Sequence, residues 1–269
     1  MLYSTKPKGG AYMESELRLN DIMEFLSKKK QASNKDLCQH LHCSISTLRR
    51  DLLKLEERGA IKRTHGGAIL TKTTNTEFSH IIREASNIKE KQIIADLAQD
   101  FIAPGMCIFL DSSSTVQQLV PLLKTIPNLV VITNGLKIAL DLSEGKSEAL
   151  KVFIIGGEVK INSSAVINNS YESLFDSFQF DLAFFSCRGL DLEGVYEASF
   201  SQAQVKKEMM KQSKQTILLI DYTKFGSSHF FKIGDFLDYN ALVTNCEPSK
   251  NYLATFDNHD LDIIFPYQN

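Results

Sequence analysis

A hydroxyl-rich turn that follows an apolar run is the first feature of this sequence that could do chemistry. The run Cys107–Leu110 has the composition of a buried strand, and a helical pattern follows from Val116 to Leu123. Backbone N–H groups at the start of a helix, together with serine and threonine hydroxyls, form an anion-binding site. The alternative is an ordinary group of helix-capping residues, because serine and threonine are common there. The turn consists of Asp111, Ser112, Ser113, Ser114 and Thr115.

Three further apolar runs end in residues that suit a polar ligand. Open α/β sheets bind ligands at the carboxyl ends of their strands, and glycine lets the backbone approach a ligand closely. Asparagine and aspartate bind sugar hydroxyls, and lysine binds phosphate. Together with the hydroxyl-rich turn, these residues predict a phosphorylated sugar or polyol as the ligand. They are Thr133 and Asn134 after the second run, Gly156 and Gly157 after the third, and Asp221 and Lys224 after 216–220.

A second candidate site lies near the N-terminus and is cationic. Ser44 begins a helical pattern that Gly59 ends. Arginine can bond bidentately to guanine or phosphate, and small hydroxyls allow a close approach to DNA. The alternative is a surface helix whose arginines are only solvated. The pattern predicts that Ile45, Leu48, Leu52 and Leu55 face inward and that Ser46, Thr47, Arg49, Arg50 and Lys54 face outward.

Two more helices and a hairpin are predicted to position this cationic helix. A helical pattern runs over 17–26, and Ser33 begins another helix, with Asp36 where a capping box has its acid. That helix, the turn Leu41–Cys43 and the cationic helix form the two-helix unit that enters a major groove. Residues 60–64 and 68–70 flank a glycine turn and predict a hairpin. Its cationic residues, which would contact DNA as a wing, are Lys62, Arg63 and His65.

Seven apolar runs define the larger part of the chain. They are apolar at odd and even positions alike, as a parallel strand covered on both faces requires. Helical segments between them predict repeated βαβ units and an open, doubly wound α/β sheet. The runs are Cys107–Leu110, Leu129–Ile132, Val152–Ile155, Leu182–Phe185, Thr216–Ile220, Ala241–Val243 and Leu261–Phe265.

Charge and composition limit the classes of function. Residues 14–70 hold 11 basic and 8 acidic side chains, whereas 71–269 hold 17 and 24, so a mildly basic segment precedes an acidic one. This division suits a DNA-binding head on an acidic body, although segments also differ by chance. No stretch has the ~18–20 apolar residues of a membrane span. Without an N-terminal apolar segment or a Cys-x-x-Cys motif, we expect no signal peptide, reduced thiols and a cytoplasmic location.

The cationic segment resembles a known family. Its motif Ser44-x-x-Thr-Leu-Arg-Arg-Asp-Leu-x-x-Leu-Glu-x-x-Gly59, followed by Ile61-x-Arg-Thr-His-Gly-Gly-Ala68, closely resembles the N-terminal signature of DeoR-type bacterial repressors. The resemblance covers some 50 residues and implies a winged helix-turn-helix that binds operator DNA. Its expected DNA-binding residues here are Ser44, Ser46, Thr47, Arg49, Arg50, Lys54, Arg63 and His65.

The larger segment is similar to the effector domain of the same family. The similarity implies a sensor whose fold resembles sugar-phosphate isomerases, and a sugar phosphate that usually relieves repression. It adds Lys206 to the ligand-binding candidates. Two positions depart from the family pattern: the stretch Ala165–Ser170, and Arg188, which either adds an anion contact or lies on the surface. The motifs are Asp111-Ser-Ser-Ser-Thr, Ile132-Thr-Asn134, Ile155-Gly-Gly157, Phe180-Asp-Leu-Ala-Phe184, Gly189-Leu-Asp191 with Gly194, Val205-Lys-x-x-Met209 and Asp221-x-x-Lys-Phe-Gly226.

Other classes of function remain as alternatives. A sugar-phosphate isomerase would need a carboxylate base, and Glu197 with Lys206 is the most suggestive pair, but the lysines of helix 201–213 are expected to be surface charges. A ligand-independent DNA-binding protein is a further alternative. A metal site is disfavoured because the nearby thiols and imidazoles match no usual zinc spacing. Those four residues are Cys38, His40, His42 and Cys43.

The sequence therefore predicts a two-part regulator. We expect a disordered extension at 1–13, a winged helix-turn-helix at 14–70, a linker at 71–90 and a sugar-phosphate-sensing α/β domain at 91–269. The expected partners are operator DNA and a phosphorylated sugar, with no metal, cofactor or membrane. Because operators are commonly palindromic, a homodimer or homotetramer is expected.

Overall fold

A computed structural model of the chain describes residues 18–19, 21–23, 25–26, 29–57, 59–70, 83–84, 86–144, 150–160, 163–167 and 178–266. The chain divides into two compact units, Met1–Ser86, here called the head, and Asn87–Asn269, here called the body. The division falls inside the predicted linker 71–90. Most of that linker, its Thr-rich part included, lies outside the described residues, as does the predicted extension 1–13.

The head is a winged helix-turn-helix, as predicted. Its small antiparallel sheet has the order β1-β3-β2, of which β1 was not predicted from the sequence. The two strands of the predicted hairpin are confirmed, with a turn at His65 and Gly66. The elements are helix α1 within 18–29, β1 (Gln31–Ser33), α2 (Asn34–Leu41), α3 (Ile45–Glu57), β2 (Ile61–Thr64) and β3 (Gly67–Leu70).

Apolar side chains from all three helices form the core of the head. On α3, Leu48, Leu52 and Leu55 are buried as predicted, but Ile45 is 44% exposed, so its predicted inward orientation is wrong. Ile45 is the first residue of the helix, and helical side chains lean toward the N-terminus, which carries this one past the core. The buried members of the core are Leu19, Ile22, Met23, Leu26, Leu37, Leu48, Leu52, Leu55, Ala60, Ile61 and Ala68.

The predicted helix ends are stabilised by local hydrogen bonds. The Asp36 N–H donates to Ser33 Oγ at 3.1 Å, and the Ser33 hydroxyl donates to the Asp36 carboxylate at 2.8 Å. These bonds hold the pKa of Asp36 below its usual value. At the end of α3, Gly59 has a φ of 66°, and the N–H of Ala60 donates to Leu55 O at 2.9 Å.

Gly67 is required by the close approach of β1 to β3. A Cβ atom added to Gly67 would lie 2.0 Å from the carbonyl oxygen of Ala32, whereas one added to Gly66 meets nothing within 4 Å. We therefore expect Gly67→Ala to destabilise the head by about 1–3 kcal/mol, because backbone must move to admit the methyl group. Gly66→Ala is the matched control, with an expected change within about 0.5 kcal/mol. Hydrogen exchange of the β1 and β3 amides measures both, and equal protection in the two variants would contradict the assignment.

The body is built on a seven-stranded parallel sheet with the order β15-β14-β12-β9-β4-β5-β6. All seven predicted strands are confirmed to within one residue at each end. Every second side chain packs on one face and the alternate ones on the other, as in Ile108 and Phe109. The strands are β4 (Cys107–Leu110), β5 (Val130–Thr133), β6 (Lys151–Ile154), β9 (Leu182–Phe185), β12 (Thr216–Ile220), β14 (Ala241–Thr244) and β15 (Asp262–Ile264).

Helices cover both faces of this sheet, so the predicted doubly wound architecture is confirmed. One face packs against α4 (Ile88–Ala98), a 3₁₀ turn Val116–Leu119 continued by α5 (Val120–Leu123), and α6 (Leu136–Ser143). The other face packs against α7 (Phe200–Lys211) and α8 (Lys250–Asp257). In the described parts of the chain, none of the helices has the length and apolar character that crossing a membrane requires.

The order of strands creates a topological switch point. From β4 the chain adds β5 and β6 on one side, and then returns to add β9 and β12 on the other. Ligands of open α/β sheets bind in the crevice at such a point, which here lies beyond the carboxyl ends of β4 and β9. Two short additions were not predicted. They are a hairpin of β7 (Glu158–Lys160) with β8 (Ala165–Ile167) and a sheet of β10 (Gly189–Asp191), β11 (Gly194–Glu197) and β13 (Phe231–Gly234).

Candidate functional sites

The N-terminus of α3 presents a cluster of hydroxyl groups. Ser44 precedes the helix, and its Oγ accepts a hydrogen bond from the Thr47 N–H at 3.2 Å. The same oxygen lies 2.9 Å from Ser46 Oγ and 2.9 Å from Thr47 Oγ1. Hydroxyls and N–H groups at a helix N-terminus bind phosphate oxygens. The three predicted residues are therefore brought together in an arrangement that suits the DNA backbone.

Cationic side chains continue along the exposed side of α3. Arg49, Arg50 and Lys54 are exposed, as predicted. Arg49 also lines a concavity between α3 and the hairpin, together with Arg63 and His65. A recognition helix beside a wing is the geometry by which such heads contact a major groove and the neighbouring backbone.

Arg63, a predicted DNA-binding residue of the hairpin, has an acidic partner on α3. Its Nε donates to Glu56 Oε2 at 2.6 Å, and its backbone N–H donates to Glu56 Oε1 at 2.9 Å. The backbone bond, then the guanidinium, hold the pKa of Glu56 below its usual value. Arg63 therefore fixes the hairpin to α3, and its charge is partly neutralised before any DNA is bound.

The turn between α2 and α3 shows no arrangement typical of a metal site. His40 packs against Phe25, with ring centroids 4.6 Å apart. Burial, followed by the neighbouring Cys38, raises the pKa of the Cys43 thiol, which disfavours the thiolate that a metal requires. Within the described ranges, no three His, Cys, Asp or Glu side chains converge as metal ligands would.

At the switch point, Asp111 connects the ends of β4 and β9. Its Oδ1 accepts from the Ser113 N–H at 2.9 Å, and its Oδ2 accepts from the Ser186 N–H at 2.9 Å. Asp111 is buried. The predicted ligand residue thus shapes the hydroxyl-rich turn by bonding to its backbone.

Lys206 lies beside Asp111 and is only 4% exposed, so the expectation that the lysines of this helix are surface charges is wrong for this residue. Its Nζ donates to Glu197 Oε1 at 2.5 Å and to Ser186 O at 2.5 Å, and lies 3.2 Å from Asp111 Oδ2. Burial alone would lower the pKa of Lys206, but the charges of Glu197 and Asp111 outweigh it and raise that pKa. Since an ammonium group has three donors, we assign Lys206 a positioning role.

The turn after β5 contains a buried acceptor without a donor. Thr133 Oγ1 accepts from the Gly135 N–H at 2.9 Å and its hydroxyl donates to Leu110 O at 2.8 Å. Asn134 Nδ2 donates to Val166 O at 3.4 Å, whereas its buried Oδ1 has no partner among the described residues. A buried unsatisfied acceptor is uncommon and suits a ligand hydroxyl.

The turns after β4 and β5 touch each other. A Cβ on Gly135 would lie 3.2 Å from Ser112 Cα. The Val116 N–H donates to Ser113 Oγ at 3.3 Å, and Thr115 is buried. Because the following segment starts as a 3₁₀ turn, the dipole of a regular helix contributes less here than the sequence suggested. Ser114 is also buried, so Ser112 and Ser113 are the residues of this turn that stay partly exposed to a ligand.

Asp221 and Lys224 follow β12, as predicted. The buried Asp221 carboxylate accepts from the Thr223 N–H at 3.0 Å, from the Thr223 hydroxyl, and from Asn87 Nδ2 at 3.3 Å. Lys224 is half-buried. Asn87 is the first residue of the body, so its start is bonded to a predicted ligand residue.

Gly156 and Gly157 lie at the far end of the candidate site. They follow β6, which is four strands from β12, a separation of about 19 Å at the usual inter-strand spacing. Both glycines are exposed. Of the predicted ligand residues, those after β4 and β5 are adjacent, and these two are the most peripheral.

Three residues of the candidate site were not predicted from the sequence. Ser186 contributes its backbone, which no side-chain pattern reveals. Asn87 lies outside every motif. His229 is half-buried, and its Nε2 lies 3.3 Å from Ser227 Oγ. Glu197 was considered only as a possible base. Its acidic charge, close in sequence to the motif that contains Lys206, was the available signal for their contact.

Comparison with known proteins agrees with both units. A family model described as "DeoR-like helix-turn-helix domain" matches residues 18–74, and one described as "DeoR C terminal sensor domain" matches residues 86–246. The chain is 31% identical to the HTH-type transcriptional repressor GlcR of Bacillus subtilis, over 96% of this chain and 98% of that protein. It is 26% identical to the glycerol-3-phosphate regulon repressor of Escherichia coli, over 93% and 99% respectively.

A solved structure of D-ribose-5-phosphate isomerase shares 19% identity over 51% of this chain and 53% of that one, with a TM-score of 0.38. That likeness is distant, and the named relatives are regulators, which favours regulation over isomerase activity. The chain belongs to the DeoR family of transcriptional regulators, with a helix-turn-helix head and a C-terminal sensor domain.

Proposed function

We propose that this protein represses a carbohydrate-use operon, that the exposed side of α3 binds the operator, and that a phosphorylated sugar bound by the body controls this binding. The observation that carries the sensor part is the buried Oδ1 of Asn134 beside the hydroxyl-rich turn at the switch point, which has no hydrogen-bond partner among the residues that the structure describes. The hydroxyl-rich turn supplies donors for phosphate, and Asn134 supplies an acceptor for a sugar hydroxyl. A relative named for a glycerol-3-phosphate regulon supports the same class of effector.

The coupling between effector and operator is proposed to run through the segment near 77–91. Asn87 belongs to that segment and donates to Asp221 at 3.3 Å. A ligand that bonds to Asp221 competes with Asn87 for the same carboxylate. Effector binding would then change the start of α4 and the segment before it.

The proposed working form is a homodimer or homotetramer in the cytoplasm. A closed two-fold assembly presents two heads to a palindromic operator, and half-sites are then spaced by about one helical turn, 34–36 Å. A change in the spacing of the heads would lower operator affinity without altering α3 itself.

The test is operator binding by the full chain in the presence of individual sugar phosphates. DNA fragments selected by the protein from a random library serve as the operator. Glucose 6-phosphate, fructose 6-phosphate, fructose 1-phosphate, ribose 5-phosphate and glycerol 3-phosphate are compared with the unphosphorylated compounds. We expect at least one phosphate to change the operator Kd by about 5- to 150-fold, the usual range of allosteric coupling. The salt concentration is held constant, because phosphate contacts make affinity salt-dependent.

Each failure has a different meaning. If no DNA is selected, the head assignment is wrong. If no sugar phosphate stabilises the protein thermally, the sensor assignment is wrong, since ligand at 100 times its Kd adds about 2.7 kcal/mol. If a sugar phosphate binds but leaves the operator Kd unchanged, only the coupling is wrong.

Replacing Asn134 separates a ligand contact from a structural one. Asn134→Leu removes an acceptor that lacks a partner among the described residues and one long donated bond, of 3.4 Å to Val166 O, so we expect the free energy of unfolding to change by no more than about 1 kcal/mol. The effector Kd is expected to rise about 3- to 10-fold through loss of one hydrogen bond. Isothermal titration calorimetry measures the affinity, and the exposed Asn251→Leu is the control. An unaltered effector Kd would remove Asn134 from the site.

A further inference from the structure

Arg188 is a half-buried cation at the switch point. It follows β9, and its backbone N–H donates to Tyr196 O at 2.9 Å, which fixes the main chain. Within the part of the chain that the structure describes, its guanidinium has no hydrogen-bond or ion-pair partner. Partial burial of a charge costs free energy unless an opposite charge meets it. This position therefore favours an anion.

The loop after β12 brings a second hydrogen-bond donor, the imidazole of His229, close to Arg188. A Cβ on Gly189, the next residue, would lie 2.2 Å from Ser227 O, so this loop packs against the chain at that point. Ser227 Oγ in turn lies 3.3 Å from His229 Nε2. Burial lowers the pKa of His229, and the positive charge of Arg188 lowers it further. Lys224 acts in the same direction, so three basic groups share this region.

The neighbouring carboxylates are already engaged. Asp111 and Glu197 bind the buried ammonium of Lys206. Asp221 accepts hydrogen bonds from Thr223 and Asn87. Each acid in the described part of the site thus has a protein partner. The charge of Arg188 is left for a ligand.

We propose that Arg188 and His229 form an anion subsite that binds a second acidic group of the effector. This inference rests on the proposed function and specifies its ligand class as a sugar phosphate that carries a second phosphate or a carboxylate. The ends of β9, β4 and β5 are consecutive, at about 4.8 Å spacing. A sugar with one acidic group at each end can therefore reach Arg188 at one side and the hydroxyl-rich turn and Asn134 at the other.

Paired ligands test the subsite in the full-length protein. Fructose 1,6-bisphosphate is compared with fructose 6-phosphate, and 6-phosphogluconate with glucose 6-phosphate, by isothermal titration calorimetry. We expect the wild type to bind a doubly acidic member at least about tenfold more tightly than its partner, as one charged hydrogen-bonded contact provides. Arg188→Gln should reduce that ratio to about twofold or less, and Lys211→Gln, whose lysine is 66% exposed, is the matched control. If the ratio falls for the fructose pair, the second group is a phosphate; if it falls for the 6-phosphogluconate pair, the second group is a carboxylate.

Other outcomes overturn the inference. An equal loss of affinity for both members of a pair would make Arg188 an anchor for the shared phosphate, and unchanged affinities for both would remove it from the site. If no sugar phosphate binds, the proposed function fails, and inorganic pyrophosphate then tests the subsite alone. Thermal stabilisation of the wild type and not of Arg188→Gln would support the subsite, whereas an equal response or none would refute it.

Discussion

The double substitution Arg49→Ala/Arg50→Ala is expected to weaken operator binding by at least about 30-fold, since each lost arginine contact costs about 1–3 kcal/mol. Both side chains are exposed, and the contact that Arg50 makes with Ser46 O is long, at 3.4 Å. The free energy of unfolding should therefore change by less than about 0.5 kcal/mol. Fluorescence anisotropy with labelled operator measures the affinity.

Two other substitutions serve as references for this result. Arg63→Ala is expected to weaken binding less, because Glu56 already bonds to that guanidinium. Lys211→Ala, on the body, should have no effect. A shallower salt dependence in the double variant would indicate lost phosphate contacts, and relaxed sequence preference would indicate lost base contacts. Operator affinity equal to that of the wild type would exclude this side of α3 from the interface.

Lys206→Met is expected to lower the free energy of unfolding of the body by about 3–5 kcal/mol, because it leaves two buried carboxylates without their cation. The ammonium of Lys206 contacts Asp111, Glu197 and Ser186, which lie on three different segments of the body. Calorimetry of the full chain follows the transition of the body. The control Lys211→Met alters an exposed lysine of the same helix and should change the value by less than about 0.5 kcal/mol.

A second substitution shows whether the loss arises from charge. Lys206→Met/Glu197→Gln should be more stable than Lys206→Met, since one uncompensated carboxylate has become neutral. The opposite result is that the double variant is less stable than Lys206→Met by the same free energy that Glu197→Gln costs in the wild type. In that case Lys206 and Glu197 do not interact, and the assigned ion pair is wrong. The wild-type contribution also depends on pH. Because folding raises the pKa of Lys206, its stabilisation is complete below the unfolded value of about 10.4 and is lost as pH rises through the folded value.

The sequence sufficed for the parts of the fold that rest on local patterns. Strands such as Thr216–Ile220 are apolar throughout, because both faces of the sheet are covered. The helix of Arg49 and Arg50 was predicted from its apolar spacing and its two ends. Strands without an apolar run were not predicted, since residues such as Gln31–Ser33 form a strand only through pairing with a distant partner.

The candidate site was predicted less completely, because its contacts are distant in sequence. The burial of Lys206 depends on Glu197, which lies on a strand that was not predicted, and α7 has no clear apolar stripe to mark its inner side. Local pattern placed Asp111 and Asn134 at strand ends. It could not show that Asp111 bonds inward, or that Asn134 keeps a buried oxygen for which the described part of the chain offers no donor.

The long separation between Asn87 and Asp221 has a consequence during synthesis. The two residues are 134 positions apart, so at usual translation rates Asp221 is made on the order of 10 s after Asn87. The head needs none of that sequence, because its core is formed by residues between Leu19 and Ala68. A nascent chain that has passed the head but has not reached Asp221 carries the whole head sequence and an incomplete effector site, so any operator binding by it is insensitive to the effector.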